Sequence, residues 1–318
     1  MPEESIHRFS ADGGNRMKKV EISGIIVPIL TPFKDDESLN IDEFRSQIDR
    51  LIEAGVHGIF VGGTNGEAYA LSQDEKLELF DVALDQIGGR VPFYAGTGCI
   101  TTRDTIALSR KALEMGADVL SIITPSFAAA NQNELYGHYR SVAEAVDAPI
   151  VLYNIPARTG NALSPDTVRR LAVDCPNIVG AKDSSGNFDN MKQYIELTSA
   201  IGKDFSVLSG NDQLILPSLV FGGKGGIAGC ANVFPHTLVS IYENFKNGDF
   251  NDAWKAQDSI RALRNCFKYG NPNTIVKEAT RLLGYPVGSC RSPFNDISPD
   301  CAKALSNALK QSREAGLC

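Results

Sequence analysis

A lysine at the end of an apolar run is the residue of this sequence best suited to covalent chemistry. Residues 178–181, Ile-Val-Gly-Ala, have the composition of a short strand buried on both faces, and Lys182 follows where that strand should end. Burial disfavours the charged form of a lysine, and the neutral amine is a nucleophile that forms Schiff bases with keto acids. The alternative is a lysine that extends its ammonium to solvent from the strand end.

A tyrosine and an arginine follow another apolar run, one strand–helix unit before Lys182. Residues 153–160 read Tyr-Asn-Ile-Pro-Ala-Arg-Thr-Gly. Tyr153 could relay protons to and from a carbinolamine at Lys182, and the guanidinium of Arg158 offers paired N–H donors to a carboxylate. In the alternative interpretation Tyr153 belongs to the core, and Arg158 pairs with a surface acid for little energetic gain.

A glycine-rich segment suits the binding of a small carboxylate. Residues 62–67 read Gly-Gly-Thr-Asn-Gly-Glu, in which Gly63 and its neighbours permit close backbone approach and the N–H groups can form an anion-binding nest. Thr64 and Asn65 add side-chain donors. The same segment is also typical of an ordinary turn between a strand and a helix. A second glycine run, residues 222–226, lacks the Gly-Lys-Ser/Thr ending of a P-loop.

Alternating apolar runs and helical patterns predict the elements that hold these residues. We expect strands at residues 24–30, 58–63, 91–98, 118–124, 149–154, 178–181, 205–209 and 226–230. Helix signals separate them: Ser72 and Glu75 form a capping-box pattern, and Ser164 precedes a proline at the first helical position. Eight such units in about 225 residues predict a (β/α)₈ barrel, an α/β fold whose sites lie at the C-terminal ends of the strands.

A doubly wound open sheet is the alternative architecture. It would usually carry a glycine-rich dinucleotide fingerprint after its first strand, and residues 29–33 are not one. Three further helical patterns occupy the C-terminal part, roughly at residues 250–268, 274–284 and 299–314. We therefore expect a barrel over residues 20–249 and a helical extension over residues 250–318 that packs on it. The polar residues 1–19 are expected to be a disordered arm or a remnant of cloning.

Composition narrows the functional classes. The chain has 318 residues, 43% of them hydrophobic, and a net charge of −7, which argues against a general nucleic-acid or anionic-membrane binder. No apolar run reaches the roughly 18 residues of a spanning helix. The seven cysteines are scattered and odd in number, which favours a reduced, cytoplasmic setting. The four histidines lie apart from one another and from acidic ligand patterns, so we expect no metal site.

Taken in series, the motifs resemble the dihydrodipicolinate synthase / N-acetylneuraminate lyase superfamily of pyruvate-dependent class I aldolases. The matching segments are residues 63–67, 95–98, 153–160, 180–186 and 209–212, followed by 271–272 and 288–293. Their order and spacing run through the whole barrel. The resemblance implies a (β/α)₈ fold with a C-terminal helical extension, a lysine Schiff base in place of any cofactor, and a homotetramer built as a dimer of dimers.

The resemblance also implies a role for each candidate residue. Lys182 would condense with the ketone of pyruvate, and Tyr153 would pass protons during imine formation and carbon–carbon bond making or breaking. Thr64 and Asn65 would hold the pyruvate carboxylate. Arg158, in the Arg-Thr-Gly form of the synthase branch, would meet the carboxylate of aspartate semialdehyde. Four further residues are expected to line the site: Gly63, Phe127, Asn211 and Ile227.

Departures from the synthase pattern leave the second substrate open. The synthases have Thr-Pro-Tyr-Tyr after strand four, and the second tyrosine joins a proton relay across a subunit contact. Residues 124–128 here read Thr-Pro-Ser-Phe-Ala, and Phe127 cannot carry a proton. Asn65 replaces a second threonine, while Gln73 and Lys76 stand where some members carry the histidines of a lysine-feedback site.

Three functional alternatives follow. Synthase-like activity on pyruvate and an aldehyde, aspartate semialdehyde, is placed first because of Arg158. An aldolase for a 2-keto-3-deoxy sugar acid or an N-acetylneuraminate-type 2-oxo acid is the enzymatic alternative. Phe127 motivates a third interpretation, a catalytically silent relative that only binds a keto acid, which the intact pair Lys182 and Tyr153 opposes. A nucleotide-binding open sheet would instead bind NAD or ATP, and we expect no such binding.

Overall fold

The protein is a closed barrel of eight parallel strands that pair in chain order, with β1 also paired to β8. The computed structural model describes residues 20–317, and the arm expected over residues 1–19 lies outside them. The strands are β1 (Gly24–Pro28), β2 (Gly58–Val61), β3 (Phe93–Gly96), β4 (Val119–Ile123), β5 (Ile150–Asn154), β6 (Ile178–Asp183), β7 (Ser206–Ser209) and β8 (Gly225–Ile227). The (β/α)₈ barrel predicted from the alternating pattern is confirmed.

Helices surround the barrel and continue beyond it. They are α1 (Ile41–Glu53), α2 (Gln73–Ile87), α3 (Thr102–Met115), α4 (Gln132–Ala145), α5 (Pro156–Thr159), α6 (Pro165–Asp174), α7 (Phe188–Ser199), α8 (Ile215–Val220), α9 (Pro235–Lys246), α10 (Phe250–Ser259), α11 (Arg261–Asn265), α12 (Pro272–Leu282) and α13 (Pro299–Glu314). Short 3₁₀ helices lie at Asp212–Leu214, Gly229–Asn232 and Cys266–Tyr269. No helix within residues 20–317 is both long and apolar enough to cross a bilayer.

Local capping explains where the helices begin. The N–H of Glu75 donates to Ser72 Oγ at 3.1 Å and the N–H of Ser72 donates to Glu75 Oε2 at 2.8 Å, which is the predicted capping box. Helix α4 begins at Gln132 because Asn131 accepts hydrogen bonds from the first turn and Glu134 caps it in return. The four-residue helix α5, inside the Tyr153–Gly160 segment, was not predicted.

Two apolar layers hold the barrel together. One lies between the strands and the surrounding helices, and the other fills the barrel with Ile22, Ile26, Phe60, Tyr94, Val119, Val151, Leu208 and Ile227. Strand residues two apart point to the same side. The inward positions above Phe60 and Tyr94 are therefore Gly62 and Gly96. A Cβ added at Gly96 would lie 2.2 Å from the carbonyl oxygen of Gly62, so the backbones meet there and leave open space above the core.

The observed boundaries differ from the predicted ones at particular points. Strand β6 runs to Asp183, so Lys182 lies within the strand and not after it. Strand β2 ends at Val61 because Gly62 takes a left-handed φ of 74°. The first C-terminal pattern divides into α10, α11 and a 3₁₀ helix, and α12 begins at Pro272. The division of the chain into a barrel over residues 20–249 and an extension over residues 250–318 stays a prediction.

Candidate active site

Lys182 is the next-to-last residue of β6 and is held between two neighbouring strands. It pairs in register with Tyr153 of β5 and Leu208 of β7, and only 3% of it is exposed. Its Nζ lies 3.8 Å from the centroid of the Tyr153 ring and 5.3 Å from that of Phe60. A Cβ added at Gly210 would lie 3.0 Å from Lys182 Cε, so the glycine leaves the amine its room. The lysine side chain is enclosed rather than extended to solvent.

Two hydroxyl groups form a hydrogen-bonded pair beside this amine. Tyr153 ends in a phenol whose oxygen lies 3.0 Å from Thr64 Oγ1, and either atom can be the donor. Because the ring of the same tyrosine contacts the Lys182 ammonium, the pair is placed where a group attached to the amine would meet it. A proton can pass along such a pair without any change of backbone geometry.

The segment that carries Thr64 is tied to the C-terminal helix α12. The Thr64 carbonyl oxygen accepts a hydrogen bond of 2.8 Å from Nδ2 of Asn273. The side chain of Asn65 lies against the backbone of Gly229, since a Cβ added at that glycine would lie 3.1 Å from both amide atoms. Thr64 and Asn65 therefore both point into the region above the barrel core, where Lys182 ends.

A buried ion pair anchors the other end of the same segment. Lys277 Nζ of α12 lies 2.7 Å from Glu67 Oε1, and the two side chains are 1% and 0% exposed. Glu67 Oε2 also accepts the N–H of Arg291 at 3.0 Å. Burial lowers the pKa of Lys277, and the charge of Glu67 partly offsets that effect. Sequence analysis missed this pair because its members are 210 positions apart and Lys277 lies outside the matching segments.

Arg158 lies on the exposed helix α5, at the rim of the site. Its Nη2 donates to Oδ1 of Asn271, the N-cap of α12, at 3.1 Å. Within residues 20–317 this guanidinium has no carboxylate partner, so its remaining N–H groups are available to a carboxylate. Asn271, just before α12, thus orients Arg158, and Asn273, the second residue of α12, orients Thr64.

Two adjoining cavities meet at Tyr153. The smaller, of about 390 Å³, is lined by Lys182, Asn65, Asn211 and Ile227 among others. The larger, of about 600 Å³, is lined by residues that include Gly63, Lys76, Cys99, Ser121 and Ser126. Both are lined by Thr64, Tyr153, Arg158 and Asn273, so the tyrosine–threonine pair forms part of the wall between them. The structure thus brings together all the expected site residues except Phe127.

Phe127 was expected to line the site, and the structure places it outside both cavities of this chain. The side chain is 98% exposed, and its backbone has a left-handed φ of 76°. The amide of Asn161 fixes the turn by donating to the carbonyl oxygens of Pro125 at 2.9 Å and Ala128 at 2.8 Å. This turn directs Phe127 outward, and its neighbour Ser126 lines the larger cavity instead.

The loop after β7 is fixed by an arginine that sequence analysis did not single out. Nη2 of Arg264, in α11, donates to Oδ1 of Asn211 at 2.8 Å, and its Nη1 lies 3.6 Å from Oδ2 of the buried Asp212. The Asn211 oxygen also accepts the N–H of Gln213 at 3.2 Å. Both bonds hold the amide oxygen away from the cavity, so the amide nitrogen of Asn211 is the group available to a substrate.

Titratable groups of the larger cavity are shifted by burial. Burial lowers the pKa of Lys76 and raises that of Cys99, and each partly offsets the effect of burial on the other through its charge. Within residues 20–317, no group of three or more His, Cys, Asp or Glu side chains is arranged to hold a metal ion.

A parallel barrel with an enclosed lysine at the C-terminal edge and a hydroxyl pair beside it has the layout of a Schiff-base aldolase. The sequence profile of the dihydrodipicolinate synthetase family matches residues 21–312. The chain therefore belongs to this family, and it is a carbon–carbon lyase or synthase of the dihydrodipicolinate synthase type, as its motifs predicted.

Named relatives agree with this assignment. The 4-hydroxy-tetrahydrodipicolinate synthase of Methanopyrus kandleri is 39% identical over 293 residues, which cover 92% of this chain and 96% of that protein. The enzyme of the same name from Bacillus subtilis is 34% identical over 92% of this chain and all (100%) of its own length.

Solved structures have the same fold. The crystal structure of dihydrodipicolinate synthase from Thermotoga maritima superposes with a TM-score of 0.89 at 31% identity, covering 93% of this chain and 99% of that one. A prophage protein of the same family from E. coli K12, solved in complex with pyruvate, superposes with a TM-score of 0.87 at 31% identity and the same coverage of 93% and 99%.

Proposed function

We propose that this chain condenses pyruvate with aspartate semialdehyde through a Schiff base at Lys182, the reaction of a 4-hydroxy-tetrahydrodipicolinate synthase. The observation that carries the proposal is the enclosed Lys182 amine beside Tyr153, whose hydroxyl is paired with Thr64 at 3.0 Å. The names of the curated relatives and the pyruvate complex of one structural neighbour support it.

Loading of the first substrate uses the amine and the hydroxyl pair. The neutral Lys182 amine attacks the pyruvate ketone, and a C–N bond forms as the carbonyl oxygen takes up a proton. Tyr153 then protonates the hydroxyl of this carbinolamine, which leaves as water and yields the protonated imine. Thr64 and Asn65, with the backbone N–H groups of their segment, hold the carboxylate and orient the ketone toward the amine.

The second half of the reaction uses the imine as an electron sink. Loss of a proton from the methyl carbon gives an enamine, and that carbon attacks the aldehyde to form the new C–C bond. Tyr153 supplies the proton that the resulting alkoxide needs. Arg158, oriented by Asn271, pairs with the carboxylate of the aldehyde substrate through charge-assisted hydrogen bonds.

A sugar-acid aldolase is the second candidate function, and particular residues favour it. The smaller cavity presents the Asn211 amide, the Ser184 hydroxyl and Arg264, which suit the hydroxyl groups of a 2-keto-3-deoxy sugar acid. The outward direction of Phe127 also removes an aromatic side chain that would otherwise narrow the site. Such an enzyme would use the same lysine and tyrosine but would cleave its substrate to pyruvate and an aldehyde.

Borohydride trapping with pyruvate tests the Schiff base. Reduction should give one pyruvyl adduct per chain, found on the peptide that contains Lys182. Lys182→Ala should trap none, whereas Lys34→Ala, a change at an exposed lysine outside both cavities, should trap as the parent protein does. An adduct that persists in folded Lys182→Ala would refute the mechanism. Turnover with aspartate semialdehyde, compared with turnover of 2-keto-3-deoxy sugar acids, then decides between the two candidate functions.

We further propose that the enzyme works without a cofactor, as a homotetramer in the cytoplasm. The Schiff base supplies the electron sink that a cofactor would otherwise provide. The exposed apolar side chains of Ile100 and Phe127 support an oligomer that covers them. The free thiols described for six cysteines fit a reducing compartment. Sedimentation velocity should give a mass of four chains.

A further inference from the structure

The larger cavity contains a buried hydroxyl that the mechanism above does not use. Ser121 lies in β4 and is 1% exposed. In the part of the chain that the structure describes, its Oγ is buried without any hydrogen-bond partner. An unpaired hydroxyl inside a protein costs free energy and usually indicates a water or ligand that it binds.

The position of Ser121 directs this hydroxyl into the cavity. It lies two residues beyond Val119 of the barrel interior, so its side chain points to the same inner side. It pairs in register with Gly96 of β3 and Val151 of β5. Gly96 and Ser121 both line the larger cavity, so the Ser121 hydroxyl borders open space.

The hydroxyl pair of the active site lines the same cavity. A threonine hydroxyl has one donor and two acceptor positions, and Tyr153 occupies only one position of Thr64 at 3.0 Å. Phe127, which replaces the relay tyrosine of the synthase pattern, carries no proton and points outward. Thr64 and Ser121 line the same cavity, so a water bound at Ser121 would share that space with the free position of Thr64.

We propose that Ser121 anchors a water in the larger cavity, and that this water exchanges protons with Tyr153 through Thr64. The proposal rests on the function proposed for Lys182 and Tyr153. After Tyr153 has given a proton to the leaving hydroxyl, the Thr64 hydroxyl donates its proton to the phenolate and takes one from the water. The hydroxide so formed regains a proton from solvent in the cavity. For enamine formation the path runs in reverse: Tyr153 gives its proton to Thr64, Thr64 gives one to the water, and the water releases one to solvent. The phenolate so formed takes the proton from the methyl carbon of the imine.

Ser121 is thus a positioning residue, and a proton-exchange assay separates its role from packing. In D₂O, reversible enamine formation replaces the methyl protons of pyruvate with deuterium, which NMR follows without a second substrate. Ser121→Ala should trap pyruvate with borohydride to the same final extent as the parent, yet exchange these protons about tenfold more slowly. Ser121→Thr, which keeps the hydroxyl, should exchange within about twofold of the parent rate.

A buried serine elsewhere provides the matched control. Ser109 of α3 lies outside both cavities and donates to Thr97 Oγ1 at 2.8 Å, so Ser109→Ala should leave the exchange rate unchanged. The proposal is overturned if Ser121→Ala exchanges at the parent rate, or if its exchange falls only in proportion to its trapping. A parent protein that neither traps nor exchanges pyruvate would instead refute the proposed function, and the Ser121 role with it.

Discussion

Removal of the Lys277 side-chain charge should destabilise the protein and weaken pyruvate binding together. Lys277→Met leaves the Glu67 carboxylate, 0% exposed, without its partner at 2.7 Å. Breaking a buried ion pair in this way typically costs about 3–5 kcal/mol, because an uncompensated charge remains inside. The N–H of Arg291, which donates to the other oxygen of Glu67 at 3.0 Å, keeps the expected loss toward the lower end of that range.

The matched double variant isolates the pair from its surroundings. Glu67→Gln with Lys277→Met replaces both charges, so its loss of unfolding free energy should be smaller than that of Lys277→Met alone by about 2 kcal/mol. The surface pair Lys255–Asp252 has the same 2.7 Å separation but side chains that are 76% and 60% exposed. Lys255→Met should therefore leave the free energy of unfolding nearly unchanged.

Denaturant unfolding and pyruvate kinetics measure the two consequences. Since Glu67 ends the segment that begins with Thr64, Lys277→Met should raise KM for pyruvate about tenfold, while KM for the aldehyde changes little. Two outcomes would show that the pair does not anchor this segment. The losses of unfolding free energy could add in the double variant, or Lys277→Met could be as stable as the Lys255→Met control. An unchanged KM for pyruvate would show that the pair stabilises the fold without positioning Thr64.

Two further predictions concern the second substrate and acid stability. Arg158→Ala should raise KM for a carboxylated aldehyde about 10- to 100-fold, because it loses charge-assisted hydrogen bonds worth about 1.5–3 kcal/mol. Borohydride trapping of pyruvate should stay at the parent level. An equal loss of aldehyde turnover and of pyruvate trapping would make Arg158 structural. Burial lowers the pKa of His138 from 6.5 to about 4. As the pH falls, the unfolded chain takes up this proton before the folded protein does. The free energy of unfolding should therefore fall by about 2–3 kcal/mol between pH 6.5 and pH 4. The urea midpoint of His138→Gln should change less over that interval.

Elements set by local chemistry were predictable from the sequence. The capping box of Ser72 and Glu75 involves neighbours in the chain, and its geometry follows from helix-end hydrogen bonding alone. The eight strand–helix units are likewise readable from periodicity, and only their ends were misplaced. Strand β6 extends past Lys182 because Tyr153 and Asn154 of β5 continue to pair with it, which is a tertiary contact.

Parts of the site that depend on distant residues could not be predicted. Phe127 was expected at the site by its place in a motif, but Asn161 fixes the turn from more than thirty positions away (|i−j| of 33 and 36). The partner of Glu67 lies 210 positions along the chain, and nothing in the composition of α12 identifies it. The surroundings of the unpaired Ser121 hydroxyl also depend on Gly62 and Gly96, which only the folded barrel brings together.

The division of labour in the site follows from these contacts. The barrel strands β5 and β6 carry the proposed reacting groups, Tyr153 and Lys182, and place them side by side in register. The substrate-orienting groups are instead held by α12 and its cap: Asn271 contacts Arg158 at 3.1 Å and Asn273 contacts the Thr64 carbonyl at 2.8 Å. Because one helix orients both candidate carboxylate sites, any shift of α12 changes the position of the two substrates relative to each other. The amine of the proposed Schiff base is thus placed by the barrel, whereas the positions of both substrate carboxylates depend on the C-terminal helices.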